Sequence, residues 1–206
     1  MTTGDFSAFT IAWVALATGV MGLLALAFII LFFTMGQPFG TINDICIGLT
    51  AILSVFLAWM LYPQYHAQSP LLSQIALPIA LFGALVVCIG SVLVIFGITS
   101  WFLAGLYMAA GNALIGLWLL GLNYSAQYTD NWSHGLVIFG IVVGVIMALG
   151  LAAIPGMLRG IDEWNSAPWY VNYVGQTGAL GWLVLYPVWC IWLGRSVLSI
   201  IGSNSA

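Results

Sequence analysis

Six stretches of this sequence, 9–33, 41–61, 71–96, 101–122, 135–158 and 177–201, are continuously apolar, interrupted only by the charges of Asp44 and Arg195. Each is long enough to cross a hydrocarbon layer about 30 Å thick, which takes roughly 20 helical residues. The runs do not alternate between apolar and polar positions, so they read as helices and not as strands of a barrel. The predicted fold is an all-α, polytopic integral membrane bundle of six transmembrane helices, forming a single domain. The connectors "MGQPFG", "YPQYHAQSP", "GITS", "NYSAQYTDNWSH" and "RGIDEWNSAPWYVNYVGQ" carry the turn-forming and polar residues expected between spans. The first run lacks a basic segment before it and a small-residue cleavage site, so it reads as a retained span.

A water-soluble domain carries about a quarter of its residues as charges. Here 3% are charged and 63% are hydrophobic, so the outer surface is read as facing lipid. The only basic side chains besides histidine are Arg159 and Arg195, against Asp5, Asp44, Asp130, Asp162 and Glu163. A net charge of −3 with no basic cluster argues against a nucleic-acid partner. The absence of lysine excludes a Schiff base or a phosphate-loop amine. Cys46, Cys88 and Cys190 sit singly in apolar runs and read as small packing residues.

Tryptophan placement supports the same partition. Trp13, Trp59, Trp101, Trp118, Trp132, Trp164, Trp169 and Trp182 fall near span ends or in connectors, while Trp189 and Trp192 lie deeper. Indole rings favour the headgroup level, where an apolar body and one N–H are both accommodated. Six spans put both termini on one face, with Arg159 on the other. Its neighbours Asp162 and Glu163 offset its charge, so the termini are read as cytoplasmic, in a plasma or inner membrane. Two formal glycosylation sequons, at Asn123 and Asn131, share one connector; use of either would place that connector outside and reverse this orientation.

Within the fifth run, Gly140, Gly144, Ala148, Ala152 and Gly156 recur at every fourth position. Small residues let helix backbones approach closely in lipid, where association rests on van der Waals packing and interhelical hydrogen bonds. Positions four apart advance about 40° per step, so five of them sweep about 160° of the helix. The stripe therefore predicts that span five is central, clasped by two neighbours or crossed steeply by one.

Few residues can carry chemistry. Thr41 and Asp44 have the spacing of a capping box at the start of span two, a reading preferred over proton or ion handling by Asp44; Asn43 and Gln37 enrich the same mouth. Asn112 falls near the middle of span four, where an amide needs partners. Thr50, Ser54, Tyr186 and the carbonyl of Leu183, freed by Pro187, are at similar depth. Interhelical adhesion is the preferred reading, and a midplane pocket of Asn112, Tyr186 and Pro187 is the sharper one. His66, His134 and Asp130 lack a diagnostic metal-site spacing and read as interface residues. Arg159 and Glu163 are spaced as a helical ion pair, in a segment expected to lie along the headgroups.

No catalytic motif, resident metal site or cofactor site is read from the chain. The first functional expectation is a non-catalytic accessory or interaction component, with the lipid bilayer and other membrane-protein subunits as partners. The alternative is a small transporter or channel for an apolar or weakly polar solute.

Overall fold

In hydrocarbon no water is available to a backbone amide, so each apolar run closes its own hydrogen bonds as a helix. A computed structural model describes residues 3–128 and 132–204, leaving Asp130 and Asn131 outside the described residues. Its helices are α1 (Thr3–Met35), α2 (Phe39–Gln68), α3 (Pro70–Ile95), α4 (Trp101–Ala126), α5 (His134–Ala148), α6 (Ile154–Leu158), α7 (Trp169–Leu180) and α8 (Tyr186–Asn204). A 3₁₀ segment, Leu149–Ala153, joins α5 to α6, and a π-helical turn, Gly181–Leu185, joins α7 to α8. Among the described residues there are no strands, and six helical units are long and apolar enough to cross a membrane.

Spans two and six depart furthest from their predicted bounds. Span two continues through "YPQYHAQ" to Gln68, carrying Pro63 within its helix. His66 therefore lies in the last turn of α2, where its Nδ1 is 2.8 Å from Ser73 Oγ and 3.3 Å from the Tyr62 hydroxyl. Span six begins at Trp169, directly after Pro168, so the predicted headgroup segment is in part the first turns of a helix. Its polar composition hid it from a hydropathy reading. Arg159 and Glu163 do not share a helix face, because α6 ends at Leu158 and Gly160 turns the chain at φ +65°.

The central helix is span four, not span five. Buried positions make up 67% of its apolar window, against 39% for span five. Small residues on several sides of α4 allow this. A Cβ on Gly111 would come within 2.5 Å of the Gly83 carbonyl on α3. On the other side, a Cβ on Gly144 would lie 2.8 Å from the Leu120 amide and 2.9 Å from the Gly116 carbonyl of α4.

The buried stripe of span five also departs from the predicted one. It follows Gly140, Gly144, Met147, Gly150, Ala153 and Gly156, with Ala148 and Ala152 only half-buried. Positions four apart drift about 40° per step on a regular α-helix, so the face already steps by three to Met147 within α5; the 3₁₀ segment, where three residues complete a turn, then carries it to Gly150 and Ala153. A four-residue spacing holds the contact face through Gly144 and loses it beyond. Gly150 then rests on the Ala109 carbonyl of α4, 2.7 Å from where its Cβ would be.

The tryptophans divide differently as well. Trp118 and Trp189 are fully buried in the protein, whereas Trp192 is exposed on its outer surface.

Candidate functional site

The last span changes partners halfway along, and that change opens a cavity. Pro187 supplies no amide hydrogen, so the turn before it cannot close as an ordinary α-helix. It widens instead, with the Tyr186 amide donating to the carbonyl of Gly181. Beyond the widened turn α8 packs on α1: a Cβ on Gly194 would be 2.7 Å from the Ala12 carbonyl, and Gly22 receives the Pro187 ring. Before it α7 packs on span five, where a Cβ on Gly178 would be 2.5 Å from the Gly150 amide. The start of span six thus leans away from the end of α1.

Between them lies a cavity of about 340 Å³, on the half of the bundle opposite the termini. Ile29, Ile30 and Phe33 of α1 form one wall, and the first turns of α4, including Trp101, Phe102 and Gly105, form another. Val171, Gly175, Gln176 and Trp182 line the span-six side. At the rim Phe33 and Trp101 meet edge to face, with ring centroids 5.7 Å apart. Ser100 fixes the adjoining turn: it accepts the Leu103 amide at 3.1 Å and donates to Asp162 Oδ1 at 3.0 Å.

Asn43 and Asp44 of α2 line the wall of this space. The predicted capping box does not form. Helix α2 starts at Phe39, where the Ile42 amide already bonds the Pro38 carbonyl at 3.2 Å. Thr41 is therefore inside the first turn, and its amide and hydroxyl both donate to Gln37 Oε1, at 3.3 and 3.2 Å. Asp44 lies beyond the unpaired amides of the helix start, so it has no cap to make. It is 4% exposed and accepts the Asn43 side-chain amide at 3.1 Å. Asn43 is 2% exposed, and its Oδ1 has no hydrogen-bond partner among the described residues. The indole N–H of Trp182 has none either. No basic side chain lines the cavity.

The midplane residues singled out by sequence are placed separately. Asn112 donates to the Met108 carbonyl of its own helix at 2.9 Å and borders a small crevice with Thr50, Trp182 and Leu183. The Tyr186 hydroxyl instead donates to Ser54 Oγ at 2.9 Å, and Ser54 passes its proton donor to the Thr50 carbonyl at 2.7 Å. Tyr186 thereby ties α8 to α2, while Pro187 seats against Gly22. Asn123 is fully buried in α4, bonded to the Leu119 carbonyl at 2.9 Å, so the first sequon lies inside the protein.

Sequence reasoning grouped Asp44 with Asn43 but did not find Gln176, Trp182 or Gly105 as neighbours of the same space, and Gln37, grouped with them, bonds Thr41 instead of lining it. Only the partner change of span six brings them together. Comparison with protein-family models, curated proteins and solved structures found no match to this chain.

Proposed function

We propose that the chain is a non-catalytic integral membrane protein of the transporter class that binds a small, mainly apolar solute between spans one and six. The supporting observation is a cavity of about 340 Å³ whose walls are mostly hydrocarbon and aromatic, with a few convergent polar groups. Binding sites for small molecules have this composition and lie in the range of about 300–1,000 Å³. The polar groups there, Asp44, Asn43, Gln176 and the Trp182 indole, include no nucleophile beside a base, which favours binding over catalysis. An accessory or interaction subunit needs no buried carboxylate facing an open cavity, so the solute reading is preferred. The bilayer surrounds the bundle, and both termini lie in the cytoplasm, the cavity then facing the other side.

Gly105 offers the test. A Cβ there meets nothing within 4 Å, although the residue lines the cavity. Gly105→Leu therefore fills the space without moving a backbone and adds about 0.8–1 kcal/mol of helix propensity. The expected result is a folded variant whose affinity for a small apolar probe such as 2-phenylethanol falls at least about tenfold, by calorimetry in nanodiscs. Unchanged binding by a folded Gly105→Leu protein would remove the proposal.

A further inference from the structure

We infer that the cavity takes a small protonated amine with an apolar or aromatic body, its ammonium group held by Asp44 and by the free carbonyl oxygen of Asn43. This rests on the solute-binding reading above and specifies the chemistry of the solute.

The acceptors come first. An ionised carboxylate offers about four lone-pair positions. Asp44 is given one donor here, the Asn43 amide at 3.1 Å. The Asn43 side chain, having spent that donor, leaves its own oxygen buried and without a partner. Two adjacent acceptors short of donors match an ammonium group, which brings N–H donors and no acceptor.

Charge points the same way. A buried carboxylate is costly unless it is paired. The cavity supplies no arginine or histidine, and the chain has no lysine. A charge on Asp44 is then paired only by a cation that the ligand brings; without one the carboxyl can be neutralised by taking up a proton. Phe33, Trp101, Phe102 and Trp182 line the same space, where aromatic rings can enclose an apolar body and attract a cation that meets a ring face.

Other ligands fit less well. Calcium takes six to eight oxygen ligands and magnesium near-octahedral geometry. The lining side chains with a carboxylate or amide oxygen are Asp44, Asn43 and Gln176. An anion would meet Asp44 with no compensating cation. A zwitterionic phospholipid could present an ammonium group, but its phosphate would have no basic partner on these walls. A free amine has no such group to satisfy.

The test titrates the purified full chain in phosphatidylcholine nanodiscs with 2-phenylethylamine and with size-matched 2-phenylethanol. The amine is expected to bind about 10- to 100-fold more tightly, the effect of a charge-assisted hydrogen bond to a buried carboxylate. Asp44→Asn should abolish that preference, with a far-ultraviolet circular dichroism spectrum and a size-exclusion elution like the parent's showing that the variant folds. Asn43→Ala should weaken the amine selectively and to a smaller extent.

Equal binding of the two probes, indifferent to Asp44→Asn, overturns the amine assignment and leaves the solute site standing. Binding of neither probe at millimolar concentration overturns both. Weaker amine binding in discs containing phosphatidylethanolamine assigns the ammonium to a lipid headgroup and overturns the free amine.

Discussion

At the scale of single residues, what matters most is where a side chain is missing. Gly144 leaves room for α4 to approach until its backbone is closer than a methyl group permits. Gly144→Leu should destabilise the bundle by about 1–3 kcal/mol, the usual cost of overpacking, or prevent assembly. The proper reference is Val142→Leu, since Val142 is exposed to lipid, whereas Val143 is 0% exposed and itself part of the core. Denaturation in mixed micelles would compare the two, with Val142→Leu expected within about 0.5 kcal/mol of the parent. Tyr186→Phe removes one interhelical hydrogen bond to Ser54 and keeps the stacked ring against Trp189, so it should cost about 1 kcal/mol in the same assay. Asn123 gives a chemical prediction. Its side chain is enclosed in the protein, so in a glycosylating host an Asn131→Gln variant should carry no enzymatically removable glycan. A mobility shift on deglycosylation of that variant would contradict the placement of Asn123.

At the scale of elements, the six spans were legible because hydrocarbon dictates helices of a set length, and length and apolarity are written directly in the chain. Which span is central was written there only in part. Span five is the most apolar, with mean hydropathy 2.8 in its window, and span four among the least, at 1.6. A helix shielded by its neighbours needs less apolar surface than one facing lipid, but span six has the same 1.6 with only 33% of its window buried, so low hydropathy narrows the choice of central helix without making it. The small-residue stripe itself failed past Gly144 because a four-residue period drifts off the contact face of a 3.6-residue helix, and the tighter winding of Leu149–Ala153 carries the face on in steps of three. The capping box failed similarly, since it presumed that α2 begins at Thr41 instead of beside Pro38. Pro187, by contrast, announced a disturbed turn, although not that the turn would widen into a π form or that α7 would take a different neighbour. Pro187→Ala restores an amide donor and removes the ring that meets Gly22. Its net effect on stability should stay within about 1 kcal/mol. Spin labels at Ile30 and Gln176 should come closer together as span six straightens, and an unchanged distance would show that other contacts hold the bend.

At the scale of the whole molecule, composition alone separated this chain from water-soluble proteins, and the six helices long and apolar enough to cross a membrane agree with it. The site was less legible. A cavity depends on how two distant helices diverge, and no local pattern encodes a distance between the end of span one and the start of span six. Orientation follows from the cytoplasmic placement proposed for the termini. A protease-sensitive tag at either end should be cleaved only after the cell is permeabilised, and cleavage in intact cells would invert the assignment. The π-helical turn carries a mechanical consequence. Of the last transmembrane segment, one portion is fastened to the first helix and the other to the fifth, with Gly181–Leu185 as the fulcrum. A guest wedged beside Asp44 would press on the shorter arm of that lever, so filling the space and tilting the arm would become the same event.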